Sequence, residues 1–568
     1  MGAFWLLFIV REFSQTFAAA DSLAEMQQHD SYTGNAPLEH NPPRQPPLIG
    51  MTDMNSRKVA FLSSGSSCSL SSRCDAWRVW VWLTALLVLC EAKLVAQDAC
   101  PPITRRLPAP GKVKPSEEDL KKWESQIAGL SQRLASAGDI ENIADAGVLL
   151  KSAQLAIRFG EFYRASDFRK MDRVIELAGR RVEQAEQSRA VTVGESGLQV
   201  RGFRSRVDGS YQPVGLELPS DLQSRENVPL VVWLHGRGDS KTDLHFICER
   251  LDKAGQFKMP EAIVLHPFGR QCVGYKSAGE TDVLEAIDFV CEEYPVDPER
   301  IVLMGFSMGG AGVWHLAAHY TDRFVGASPG AGFAETARYQ RLTPAQFPPK
   351  YEQILWGVYD VPGYVRNLFN IPVVAYSGEN DKQIQAARVM EEAYREHERI
   401  LPHLIGPGMG HKYHPDTLAE ITARMRKTLN EARPRRKELY LQTQHLRYAT
   451  RRWIEVTSQF EQYADTRVDA TLKSGVWQLE THNVSKLSLS ADDESGPGAA
   501  DTVRVDEQEF VLGEGGLRLV RASKQSPWQE VDEFQGLFKL PGLSGPIDDA
   551  FLDPFLIVTP DAADAGGP

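Results

Sequence analysis

Three short stretches of the chain hold residues suited to acyl transfer. In Gly305-Phe306-Ser307-Met308-Gly309-Gly310 a serine stands among small residues, a pattern that suits a sharp strand-to-helix turn with its hydroxyl exposed. A strand is predicted just before it, over 301–304, and a helix just after, over 309–319. The N–H groups opening that helix would face any negative charge that develops beside the serine. A serine hydroxyl attacks poorly unless a base takes its proton. The loop Gly406-Pro407-Gly408-Met409-Gly410-His411 supplies the candidate base, His411. The stretch Gly378-Glu379-Asn380-Asp381, just beyond a predicted strand, supplies an acid to orient it. The expected set is Ser307 as nucleophile, His411 as general base and Asp381 as orienting acid.

Each of the last two has a rival. His414 follows His411 closely, but glycine directly precedes His411. Glu379 adjoins Gly378 at once, whereas Asp381 stands midway between Gly378 and Ile384, the spacing expected of the acid. Upstream, Leu234-His235-Gly236-Arg237-Gly238-Asp239 ends an apolar strand. A backbone N–H near Arg237 is expected to join that of Met308 as an oxyanion hole. His235 and His266, at strand ends, are expected to make structural hydrogen bonds.

These groups meet only if a rigid sheet brings them together. Apolar strand candidates at 214–218, 230–234, 262–265, 301–304, 325–327, 373–376 and 403–405 alternate with helical stretches, notably 282–291 and 309–319. That alternation over 192–432 predicts an α/β fold with a mainly parallel sheet. The segment 342–370, with Pro344, Pro348, Pro349 and Pro362, reads as an insertion that shapes the substrate site.

Before it, residues 100–190 read as a helical segment, with a capping signal at Ser116 and apolar helical spacing over 117–136, 148–159 and 168–182. After it, Val468, Ala470 and Leu472, then Leu487 and Leu489, then Val503 and Val505 alternate at period two. A small β-sandwich-like domain is predicted over 437–525, with an extended tail over 526–568.

Residues 1–96 are expected to contribute no fold. Within them 79–90 is an apolar run, preceded by Arg73 and Arg78 and followed by Leu94-Val95-Ala96. It is short of the roughly twenty residues that span a bilayer and reads as the core of an export signal. Such signals open a chain, so Met51 or Met54 is the expected translation start. The mature protein is then secreted or periplasmic, beginning near Gln97.

The formal net charge of −12 argues against a nucleic-acid partner, which calls for clustered excess Lys and Arg. The run Arg433-Pro434-Arg435-Arg436-Lys437 is expected to be an exposed connector. The seven cysteines show no metal-ligand spacing, and neither metal nor cofactor is expected. Disulfides are permitted but not required, and nothing sets an oligomeric state.

With these residues in view, the region 195–430 resembles the α/β-hydrolase superfamily. It is similar to secreted bacterial proteins with a prolyl oligopeptidase-type catalytic domain, and to the feruloyl esterase and polyhydroxybutyrate depolymerase group. The resemblance rests on Trp233–Asp239, Gly305–Gly310 and Gly410-His411-Lys412-Tyr413-His414-Pro415. The flanking regions, with Gly545-Pro546-Ile547-Asp548-Asp549-Ala550-Phe551, resemble large planctomycete-type hydrolases, in which the chain usually continues.

The resemblance implies an ester or peptide substrate and an acyl-enzyme mechanism. No propeller repeats precede the catalytic region, and the loop at 235–239 lacks a tyrosine-bearing oxyanion motif, so proline specificity does not follow. The competing reading is a non-catalytic cell-surface binding protein on the same scaffold. Polysaccharide or surface contact through the β domain would rest on Trp453, Trp477 and Trp528.

Overall fold

Alternation of side chains decides how the middle of the chain packs. Eight strands form one sheet: β1 (Gly197–Arg204), β2 (Tyr211–Leu218), β3 (Val228–Leu234), β4 (Ile263–Pro267), β5 (Val296–Phe306), β6 (Gly326–Gly330), β7 (Ala375–Gly378) and β8 (His403–Gly406). Every residue of β3 is buried, as expected of a strand covered on both faces. Period two sends Leu230, Val232 and Leu234 to one core and Val231 and Trp233 to the other.

The longer helices among the described residues are α1 (Glu117–Ser136), α2 (Ile143–Phe159), α3 (Asp167–Glu186), α4 (Asp243–Asp252), α5 (Ala278–Glu293), α6 (Met308–His319), α7 (Ile384–Arg395) and α8 (Pro415–Asn430). Helices α5, α6 and α7 bring Ile287, Trp314 and Met390 to the first core. Helix α8 brings Ile421, Met425 and Leu429 to the second.

The strand order is β1-β2-β4-β3-β5-β6-β7-β8. Strand β2 runs antiparallel to both neighbours, while β4, β3, β5, β6, β7 and β8 pair in parallel. This mostly parallel sheet with helices on both faces is the α/β-hydrolase fold. These elements belong to the unit Leu107–Pro568. The computed structural model describes residues 108–137, 143–187, 196–431, 436–492, 496–540 and parts of 542–552. The expected export signal and most of the 433–437 connector lie outside the described residues.

The helical segment α1–α3 has no core separate from the sheet. Trp123, Met171 and Val174 share one cluster with Val200 of β1 and with Leu244 and Ile247 of α4. An ionic anchor reinforces the contact. Arg201, on β1, donates through Nε to both carboxylate oxygens of Asp145 at 2.9 Å, and the Gly202 N–H donates to the same carboxylate at 2.7 Å. Both side chains are 1% exposed. At α1 the expected cap forms: the Asp119 N–H donates to Ser116 Oγ at 3.0 Å.

Beyond residue 436 two five-stranded sheets enclose a third core. One runs in the order Gln508–Val511, Thr502–Val505, Val476–His482, Thr466–Lys473, Glu438–Thr443. The other runs Thr450–Arg451, Ile454–Gln459, Val484–Leu489, Leu517–Val520, Gln529–Glu530. The predicted inward residues Val468, Ala470, Leu487, Leu489, Val503 and Val505 all lie in that core. Trp453, Trp477 and Trp528 are only 2%, 2% and 3% exposed. Rings that fill a core are not free to serve as a binding platform, so these three give a carbohydrate contact no support. Trp528 and the strand Gln529–Glu530 also carry the sheet past the expected start of the tail.

The insertion after β6 carries the short helix Lys350–Trp356 and ends in the 3-10 stretch Val361–Asn370. There Asn367 Nδ2 donates to the carbonyls of Ala318 and Gln442, both at 2.8 Å, and Asn367 Oδ1 accepts the Gln442 N–H at 2.7 Å. One buried side chain thus joins α6 to the first strand of the sandwich.

Candidate active site

Ser307 sits between the last residue of β5 and the first of α6, with φ 59° and ψ −120°. A non-glycine residue at positive φ is strained, at a cost of roughly 1–3 kcal/mol. Surrounding backbone holds it there: the Ser307 N–H donates to Gly330 O at 2.8 Å, and its carbonyl accepts from the Ala311 N–H at 3.0 Å. The flanking glycines allow this crowding. A Cβ on Gly309 would fall 1.9 Å from Leu234 O, and one on Gly305 would fall 2.6 Å from Gly309 O.

The structure brings Ser307, His411 and Asp381 into one chain of hydrogen-bonding distances. His411 Nε2 lies 2.8 Å from Ser307 Oγ, and His411 Nδ1 lies 2.8 Å from Asp381 Oδ2. The Asp381 residue is 5% exposed, while the imidazole is 38% exposed. The other carboxylate oxygen, Asp381 Oδ1, accepts the Gln383 N–H at 2.9 Å, which fixes the carboxylate plane.

The rivals occupy other places. Glu379 is exposed, and its carboxylate accepts the Gly408 N–H at 2.7 Å. His414 caps α8, and its main-chain N–H donates to Tyr376 Oη at 2.9 Å. The predicted oxyanion groups lie on two adjoining segments. Met308 opens α6, where the first N–H groups have no partner within the helix. The loop carrying Arg237 lies against the serine turn, since a Cβ on Gly236 would stand 3.5 Å from Ser307 Cβ.

His235 and His266 take structural positions. His235 Nε2 is 3.0 Å from Phe268 O, and burial depresses its pKa to about 4, leaving the ring neutral. His266 Nε2 lies 2.7 Å from Glu217 Oε1. Among the described residues no cluster of His, Cys, Asp and Glu has the makings of a metal site, and Cys248, Cys272 and Cys291 are free thiols.

Sequence reasoning missed the residues that hold the histidine loop. Tyr376, on β7, donates to Lys412 O at 2.8 Å while accepting from His414, so one phenol grips the loop on both sides of Tyr413. Phe306 packs its ring 4.9 Å from His411 and 4.7 Å from Tyr413. Phe306 lies within the Gly305–Gly310 motif and Tyr376 within the predicted strand 373–376, but neither pattern announces a contact with the histidine loop.

Residues 274–427 match the model of the prolyl oligopeptidase family, a span that includes Ser307, Asp381 and His411. No curated protein matches the chain. Solved structures similar to it include a putative dipeptidyl aminopeptidase IV from Bacteroides ovatus, at 13% identity over 41% of this chain and 35% of that one, TM-score 0.31. They also include the fluorophosphonate-binding serine hydrolase FphF of Staphylococcus aureus, at 19% identity over 42% and 100%, TM-score 0.32. A third is an S-formylglutathione hydrolase from Agrobacterium tumefaciens, at 17% identity over 41% and 95%, TM-score 0.34.

Proposed function

We propose that this chain is an exported serine hydrolase that cleaves ester or amide bonds through an acyl-enzyme on Ser307. The observation that carries the reading is the position of His411, whose two ring nitrogens stand 2.8 Å from Ser307 Oγ and 2.8 Å from Asp381 Oδ2. The family match over 274–427 supports the same chemistry.

In the acylation step Ser307 Oγ bonds to the substrate carbonyl carbon as its proton passes to His411 Nε2. Asp381 accepts the hydrogen bond from Nδ1–H, fixing the tautomer and stabilising the imidazolium. The N–H groups of Met308 and of the Arg237 loop stabilise the oxyanion. Collapse breaks the bond to the leaving alcohol or amine, which takes the proton from Nε2. Water then repeats the sequence on the acyl-enzyme, releasing the acid and restoring Ser307.

The test is covalent labelling of the purified protein with a fluorophosphonate. Modification mapped to Ser307, lost in Ser307→Ala, is expected. A scaffold without catalysis would leave Ser307 unmodified, and that outcome would overturn the reading. The export part is checked separately, by terminal sequencing of secreted protein, with a start close to Gln97 expected.

A further inference from the structure

Among the described residues, Lys276 is a cation that the triad chemistry does not use. Lys276 lies on the loop between β4 and α5. Its Nζ stands 4.7 Å from the centroid of the Tyr359 ring and 5.3 Å from that of Phe333. Among the described residues its ammonium makes no ion pair or hydrogen bond, and burial lowers its pKa, with the Asp360 charge opposing. Phe333 directly follows Gly332, whose backbone is packed against the Ser307 carbonyl: a Cβ there would fall 2.7 Å from Ser307 O. Phe333 also stacks on Tyr339, with ring centroids 4.5 Å apart. Lys276, Phe333, Tyr339 and Tyr359 are all half-buried, and the segment that carries Phe333 borders the serine turn through Gly332.

Aromatic faces offset part of the cost of removing an ammonium from water, but they do not supply a counter-charge. The nearby carboxylate does so poorly. Asp360 accepts a hydrogen bond from Thr336 Oγ1 at 2.7 Å and lies beyond ion-pair distance of Lys276. Burial pushes its pKa up to about 7, with the Lys276 charge acting the other way. The Lys276 charge therefore has room for an anionic partner.

We infer that Lys276 is a specificity-determining residue that pairs with a carboxylate on the substrate, held over the Phe333 and Tyr339 rings close to the scissile bond. The inference deepens the Ser307 reading and rests on it. Substrates of this class are acyl or leaving groups with a free carboxylate near the cleaved ester or amide.

The experiment measures the rate of Ser307 labelling by matched fluorophosphonates. One is neutral, one has a carboxylate at the end of the P-alkyl arm, and one has it on the alkoxy arm. One carboxylate probe is expected to label about tenfold faster or more than the neutral probe. That ratio should fall severalfold in Lys276→Met and be largely kept in Lys276→Arg. Equal rates for all three probes, or a ratio unmoved by Lys276→Met, would overturn the inference while leaving the serine hydrolase standing. Failure of every probe to label Ser307 would remove both.

Discussion

The Glu379 carboxylate accepts the Gly408 main-chain N–H at 2.7 Å, so the rival acid braces the loop that carries His411 without touching the histidine. Asp381 makes the imidazole contact. The two carboxylates, separated by one residue in sequence, are predicted to have separable effects. Asp381→Asn should lower kcat/KM by about a hundredfold or more, because the amide holds the wrong tautomer. Glu379→Gln keeps an acceptor for Gly408 and should cost less than about tenfold. Steady-state kinetics on an aryl ester cleaved by the wild type decides the matter. Exchanged phenotypes would transfer the acid role to Glu379.

Ser307→Ala should abolish turnover and leave stability nearly unchanged, within about 0.5 kcal/mol, since the lost hydroxyl is not part of a packed core. Activity and thermal unfolding measured on the same preparation check both halves.

The Asp145–Arg201 pair should be expensive to break from one side. Asp145→Ala takes the buried carboxylate from the Arg201 guanidinium and leaves the partly exposed Glu293 to offset its charge, with a predicted loss of about 3–5 kcal/mol. Denaturant unfolding of the single variant, compared with a double variant carrying Arg201→Met, should show partial recovery in the double.

Asp282 predicts a pH slope. Its carboxyl accepts the Gly269 N–H at 2.7 Å, and burial raises its pKa to about 7, with Arg270 opposing. The folded state therefore holds this proton more tightly than the unfolded chain, and stability falls as pH rises from the ordinary carboxyl range near 4 through about 7. Asp282→Asn should be more stable than wild type above that window and should flatten the slope. Glu161, also raised to about 7 by burial, keeps the slope from vanishing. Urea unfolding at pH 5.5 and pH 8 tests the sign.

The residues that meet at the candidate site were legible because each sits in a motif whose spacing is imposed by local geometry: the turn at Ser307 needs Gly305 and Gly309, and those glycines are visible in the sequence. Strand β1 was not legible. Its run Gly-Leu-Gln-Val-Arg-Gly-Phe-Arg lacks the apolar pattern of a covered strand, and Arg201 is buried there among partners far away in the chain, Asp145, Glu293 and Tyr294. Tyr376 escaped notice for the same reason, since its grip on Lys412 and His414 is a tertiary fact. The tryptophans of the sandwich could serve a core or a surface as far as their type goes, and packing puts all three inside.

Asn367 has a consequence for how this chain can be cut. Its single side chain ties the helix that begins at the serine turn to the first strand of the sandwich, so the C-terminal β region is spliced into the enzyme rather than strung behind it. A chimera that replaces everything after residue 436 with a foreign module would leave Asn367 facing a surface that no longer offers the Gln442 carbonyl and N–H. The sandwich is thus inherited with the catalytic body as one piece of masonry, and exchange of modules at that seam would have to carry the 361–370 turn along with it.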